Sequence, residues 1–140
     1  APIRSRADLH AHPLIGYIAD MIFDRELDYL AESGIGAAVL TSNAVSVQLQ
    51  AIGAGAGLGL VHDFALPFAP GVVRVLTDRI SLRRSFWLVR HADDRASARL
   101  ARVAEAIAAG IRSEVARLEA KTRENEANQP PAGAKGAAGA

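Results

Sequence analysis

The sequence predicts an α/β domain with a mostly parallel sheet. Short apolar runs of strand length alternate with stretches of helical periodicity from residue 13 to residue 118. Half of the 140 residues are apolar, enough to build a core. A glycine-rich turn, Gly53-Ala54-Gly55-Ala56-Gly57, follows a helical pattern and precedes an aliphatic run, so the chain passes there from helix to strand.

The elements follow in order. Ala7-Asp8-Leu9 can form a helical turn, and Pro13 to Ile18 reads as a short buried strand. Asp24 can cap a helix over 24–33, with Leu27, Leu30 and Ala31 on one face and Gly34 at its stop. Ile35 to Leu40 is the second strand. Val45, Leu49 and Ile52 then mark a helix whose cap is Ser42, Asn43 or, one turn later, Ser46; the pattern leaves that register open. Leu58 to Val61 is the third strand, and His62 to Phe68 a loop or short helix broken by Pro67 and Pro70. Val72 to Leu76 and Ser85 to Arg90 read as the fourth and fifth strands.

The last element is the longest. Asp93 or Asp94 caps a helix to about Glu124, with Leu100, Val103, Ile107, Ile111, Val115 and Leu118 forming one apolar stripe. Glu114–Arg117 and Glu119–Arg123 are pairs for its outer face. At 1.5 Å per residue it spans about 45 Å, so its end is expected to project or to pair with another chain. From Asn125 onward Pro, Gly, Ala and Lys predict a disordered tail.

Composition excludes several classes. The net charge of +1 gives no field for nucleic acid or an anionic membrane, and the scattered arginines are read as a solvated face. The absence of cysteine removes disulfides, thiolate metal sites and cysteine nucleophiles, and fits a cytoplasmic location. No apolar run approaches the roughly 20 residues of a membrane span. The opening Ala1-Pro2-Ile3-Arg4-Ser5-Arg6 has no apolar region behind its charges, so no signal peptide is expected. His10-x-His12 lacks a third ligand, apart from Asp8, and is read as surface histidines; no metal or cofactor is expected. The glycine run has the wrong order, helix before strand, for a dinucleotide loop.

Three segments carry a family resemblance. The string Val47-Gln48-Leu49-Gln50-Ala51-Ile52-Gly53-Ala54-Gly55-Ala56-Gly57-Leu58-Gly59-Leu60-Val61 resembles the helix-to-strand passage of the effector domains of LysR-type transcriptional regulators. Asp8-Leu9, His12-Pro13-Leu14-Ile15 and Tyr17 resemble the lead-in to that family's second regulatory subdomain. Ser85-Phe86-Trp87-Leu88-Val89-Arg90-His91, with Arg95 and the long helix, resembles its last strand and helix. The resemblance covers about residues 7–112 and implies a fold like the type II periplasmic binding proteins, with an effector between two α/β subdomains. It divides the chain into a lead-in at 1–11, a complete regulatory subdomain II at 12–76, and a tail at 125–140. Between them, 77–124 would hold the crossover, the last strand and the long helix of subdomain I. The winged helix-turn-helix that contacts DNA would lie outside this chain. A strand at 85–90 without its sheet neighbours would be an open edge, so self-association by dimer formation or segment exchange is expected.

The candidate site residues are Tyr17, Asp20, Thr41, Ser42, Asn43, Ser46 and His62. Thr41-Ser42-Asn43, with Ser46, stands where a strand delivers the chain to a helix N-terminus, whose unpaired N–H groups attract an anion. The resemblance places the effector near this turn, and implies that the turn through Tyr17 and Asp20 faces the same cleft. His62-Asp63 departs from the family, which often has proline here, and is expected at the cleft rim. Neither Ser42 nor Ser46 lies in a nucleophile-elbow motif, so no catalytic residue is assigned. The expectation is a sensor of a small, anionic molecule, not an enzyme. A solute-binding protein of the same fold, or a small serine hydrolase, is the alternative.

Overall fold

Leu14, Ile15 and Gly16 form the central strand, β1, of a three-stranded parallel sheet in the order β2-β1-β3. The structure, a computed structural model, describes residues 3–22 and 28–128. β2 is Leu40–Thr41 and β3 is Leu58–Gly59. Ile15 lies opposite Leu40 on one side and Gly59 on the other. All three residues of β1 are buried, and Ile15 is fully so, as a strand covered on both faces must be. The ladder continues past the strands: Val39 N–H donates to Leu14 O at 2.8 Å, and Leu58 N–H to Pro13 O at 2.9 Å.

Close approach of the chain fixes two glycines. A methyl group on Gly57 would stand 2.3 Å from Pro13 O, and one on Gly59 would stand 2.8 Å from Ile52 Cδ1. The helix-to-strand turn therefore needs its glycines for packing against β1 and the preceding helix.

The helices are α1 (Tyr29–Ser33), α2 (Val45–Gly53) and α3 (Ala98–Ala127). α1 is capped by Asp28, whose side chain accepts from Ala31 N–H, and stops at Gly34 in the left-handed region. Asp24 and Leu27, named as cap and core residues of that helix, lie outside the described residues. 3-10 turns occupy Ala7–Ala11, Ala19–Met21, Asp63–Phe68 and Ala92–Ala96. One core cluster joins Leu9, Leu14, Leu30, Ile35 and Leu76; a second joins Leu49, Ala65 and Ala69 under Phe64 and Val72.

Several expectations are corrected. The second strand is not 35–40 but Leu40–Thr41, because Ile35 turns into the core and Gly36, at φ 113, bends the chain before the ladder begins. Val72–Leu76 is not a strand. Its burial alternates as a half-buried strand does, but Gly71 at φ 88 and Leu76 at φ 55 bracket it, and no strand pairs with it among the described residues. Ser85–Arg90 is not a strand either, and Phe86, Trp87, Leu88 and Val89 stand exposed. An apolar run becomes a strand only by pairing with an edge, and among the described residues this segment pairs with none.

None of Ser42, Asn43 or Ser46 caps α2: its N-cap is Ala44, without a side-chain hydrogen bond. α3 is capped by Ser97, whose Oγ accepts from Leu100 N–H, while Asp93 and Asp94 lie in the preceding 3-10 turn. α3 also runs beyond Glu124. Arg74 hydrogen-bonds both Glu126 carboxylate oxygens and pairs with Asp63 at 2.6 Å, and Thr122 Oγ1 donates to Asp63 O at 2.7 Å. These contacts hold the last turns of α3 against the Asp63–Phe68 turn, so helix replaces the expected tail as far as Ala127. The rest of the tail, 129–140, lies outside the described residues. The stripe on α3 is thereby split: Leu118 is buried, but Leu100, Val103, Ile107 and Ile111 remain exposed.

Candidate functional site

Parallel pairing sends the three strands out of the sheet at one edge. Gly16 lies opposite Thr41 and Ile15 opposite Gly59, so the loops beginning at Tyr17, Ser42 and Leu60 leave side by side. This is the carboxyl edge at which open α/β sheets bind ligands.

Hydrogen bonds join two of these loops. Ser42 N–H donates to Gly16 O at 3.0 Å, and Asn43 Oδ1 accepts from Ile18 N–H at 3.3 Å. Ser42 Oγ accepts from Ala44 N–H at 3.2 Å, which turns the chain into α2. From inside α2, Gln48 Nε2 donates to Ser42 O at 2.6 Å. Gln48 is only 2% exposed, so its side chain is held in place by the core and its bond fixes the loop. Val47 and Gln48 N–H both reach Ala44 O, and no side chain caps the helix. The first N–H groups of α2 are left open to an acceptor.

Beside this corner lies a cavity of about 520 Å³, walled by Tyr17, Tyr29, Leu30, Thr41 and Gln48 among others. Of the residues singled out from sequence, Tyr17 and Thr41 line it. Ser42 and Asn43 shape the loop next to it, while Asp20 and Ser46 are exposed outside its lining. Partial burial pushes the Tyr17 hydroxyl pKa up, and Tyr29 adds to the shift, so Tyr17 offers a neutral O–H.

His62 stands apart from this cavity, in an adjoining groove of about 690 Å³ that shares Tyr29 with it. Its Nε2 lies 3.4 Å from Tyr29 Oη, and its ring stacks on Phe64 at 4.9 Å between centroids. Burial holds the imidazole pKa below its ordinary value, with the Arg84 charge adding to this and Asp63 opposing it. Neither serine hydroxyl is hydrogen-bonded to His62 among the described residues, so the hydrolase alternative lacks its nucleophile–base contact. Nor does any group of three or more potential metal ligands come together among them.

Sequence reasoning missed Gln48, Tyr29, Arg84 and Phe86 as parts of these sites. A buried glutamine on an apolar helix gives no sequence signal, and Arg84 meets Tyr29 from far along the chain, a contact that no local pattern announces. The Arg84 guanidinium sits 4.9 Å over the Tyr29 ring and is ion-paired with Glu32.

Residues 1–112 match the model of the LysR substrate binding domain. No curated protein and no solved structure matches the chain. The described residues contain no helix long and apolar enough to cross a membrane. With 112 of its 140 residues in that match and a parallel α/β sheet at its centre, the chain belongs to the LysR substrate binding domain family.

Proposed function

We propose that this chain is the effector-sensing part of a LysR-type transcriptional regulator, and that a small anionic molecule binds at the carboxyl ends of β1 and β2. The observation that carries this reading is the Asn43–Ile18 hydrogen bond. It ties together the two loops expected to face the effector, next to a cavity lined by Tyr17 and Thr41. The uncapped N-terminus of α2 supplies N–H groups and a partial positive charge for an anion. Asp20, on the turn after β1, and Ser46, in the first turn of α2, are both exposed and would serve at the rim.

In this reading residues 12–76 form regulatory subdomain II, and 77–124 supply the crossover, the apolar segment at 85–90 and the long helix of subdomain I. The effector favours one arrangement of subunits because it binds that arrangement better, and DNA contacts belong to a separate N-terminal domain. Self-association is part of the same proposal. Trp87 and Val89 are 84% and 85% exposed, and they add to the open stripe on α3. Together with Leu88 they leave apolar side chains open to water, the kind of surface that marks a contact with another chain.

The test is thermal denaturation of the chain with a panel of small carboxylates. A ligand at about 100 times its Kd adds roughly 2.7 kcal/mol and raises Tm by several degrees. Thr41→Val, at an exposed position, is expected to lower that gain without changing the Tm of the free chain. A panel with no stabilising member, or stabilisation indifferent to Thr41, speaks against the site.

A further inference from the structure

The groove on the far side of Tyr29 is built for a different kind of ligand from the cavity beside Thr41. Although aromatic residues are only 5% of the sequence, three of them, Tyr29, Phe64 and Phe86, converge here with His62. Tyr17 meets Tyr29 edge to face at 5.8 Å, and Tyr29 meets His62 in the same way at 6.0 Å. His62 and Phe64 are parallel within 8°, and Phe86 leans over both, at 5.3 and 6.2 Å. Phe86 nevertheless keeps 69% of its surface exposed. The cluster thus ends in an open ring face, to which a further flat ring can add.

The charges around the groove are arginine-rich. Arg74, Arg83, Arg84 and Arg123 line it, against Asp63 and Glu119. Arg74 is engaged by Asp63 and Glu126, and Arg84 by Glu32. With Glu126 and Glu32 counted, the charges balance overall, but Arg83 and Arg123 form no ion pair among the described residues and are the cations of the lining left to meet an anion. His62 is held neutral by its burial, so it presents a ring face and not another cation. A volume of about 690 Å³ holds a molecule of one or two rings.

We propose that this groove is a second binding site, for a planar aromatic anion whose ring lies against Phe86 and the His62–Phe64 stack and whose carboxylate is turned toward Arg83 and Arg123. The site stands on its own residues and does not need the Thr41 cavity to be occupied.

Calorimetric titration of the chain with benzoate, cyclohexanecarboxylate and benzyl alcohol tests it, because the three probes separate ring from charge. Saturable benzoate binding is expected, with cyclohexanecarboxylate and benzyl alcohol each weaker by about five-fold or more. Phe86→Ala, at an exposed position, is expected to weaken benzoate by about 5- to 10-fold, Arg83→Gln by about 3-fold, and Thr41→Val not at all. Absence of saturable benzoate binding, equal affinity for cyclohexanecarboxylate, or indifference to Phe86→Ala overturns the proposal. Benzoate binding lost in Thr41→Val but kept in Phe86→Ala also overturns it, and assigns the molecule to the Thr41 cavity instead.

Discussion

The side-chain oxygen of Asn43 accepts a hydrogen bond from the backbone amide of Ile18 across 3.3 Å, and so locks the loop after β2 to the loop after β1. Neither residue lines the cavity at that edge, yet their bond sets the spacing of Tyr17 and Thr41, which do. Asn43→Ala is therefore expected to cost about 1 kcal/mol of stability, since the bond is exposed and water can replace it. Its larger effect is expected on ligand affinity. Asn43→Asp keeps the acceptor and is expected to retain stability; urea titrations of the two variants check this.

Gln48 and Gln50 form a paired test within one helix. Gln48 is buried and bonded to Ser42 O, while Gln50 is exposed. Gln48→Leu is expected to lose about 1–3 kcal/mol, because the Ser42 carbonyl loses its buried donor. Gln50→Leu is expected to stay within about 0.5 kcal/mol of the parent. Chemical denaturation of both variants distinguishes a buried polar anchor from a generic helix effect.

Gly57→Ala tests the close approach of β1 and β3. The added methyl group meets Pro13 O, a backbone atom that cannot rotate away and that also accepts from Leu58 N–H. A loss of about 1–3 kcal/mol is expected, read as a lower denaturant midpoint at unchanged slope. Gly55→Ala meets no neighbouring atom; its cost, from the positive φ of 79° alone, is expected to be about 1 kcal/mol.

The His62 environment gives a pH dependence of defined sign. The unfolded imidazole takes up a proton near its ordinary value of about 6.5, and the folded one only at lower pH. Between these values the unfolded chain binds more protons, so stability falls as pH drops through about 6.5 and levels off below the folded value. Above that range the contribution is fully present. His62→Phe, which keeps a ring on Phe64, is expected to lack this step when Tm is followed between pH 7.5 and 5.

The clasp at the end of α3 predicts local opening more than global instability. Arg74→Met removes the partner of both Asp63 and Glu126. Because these pairs are partly exposed, Tm is expected to shift little. Amide hydrogen exchange across 122–127 is expected to accelerate, while Leu118, buried further along the helix, keeps its protection.

The sequence made the parallel α/β order legible because strand and helix periods differ and the stop at Gly34 and the turn at Gly57 are local signals. It could not show that 72–76 and 85–90 lack partners, since an apolar run looks the same whether or not an edge lies beside it. The α2 cap was illegible for a related reason: Ser42 and Asn43 are both good caps, but Asn43 spends its oxygen on Ile18, 25 residues away, and Ser42 closes a local turn. Of the candidate site, the strand-end loops were readable. The meeting of Arg84 and Phe86 with Tyr29 and His62 was not, because it joins residues far apart along the chain, a contact that no local pattern announces.

The most direct test of the effector site is an amide chemical-shift titration of the chain with the carboxylate that stabilises it most. The account predicts saturable shifts at Tyr17, Ile18, Thr41, Ser42 and the first turn of α2, with the α3 amides beyond Leu118 unmoved. Shifts confined to other parts of the sheet, or spread evenly without saturation, contradict it.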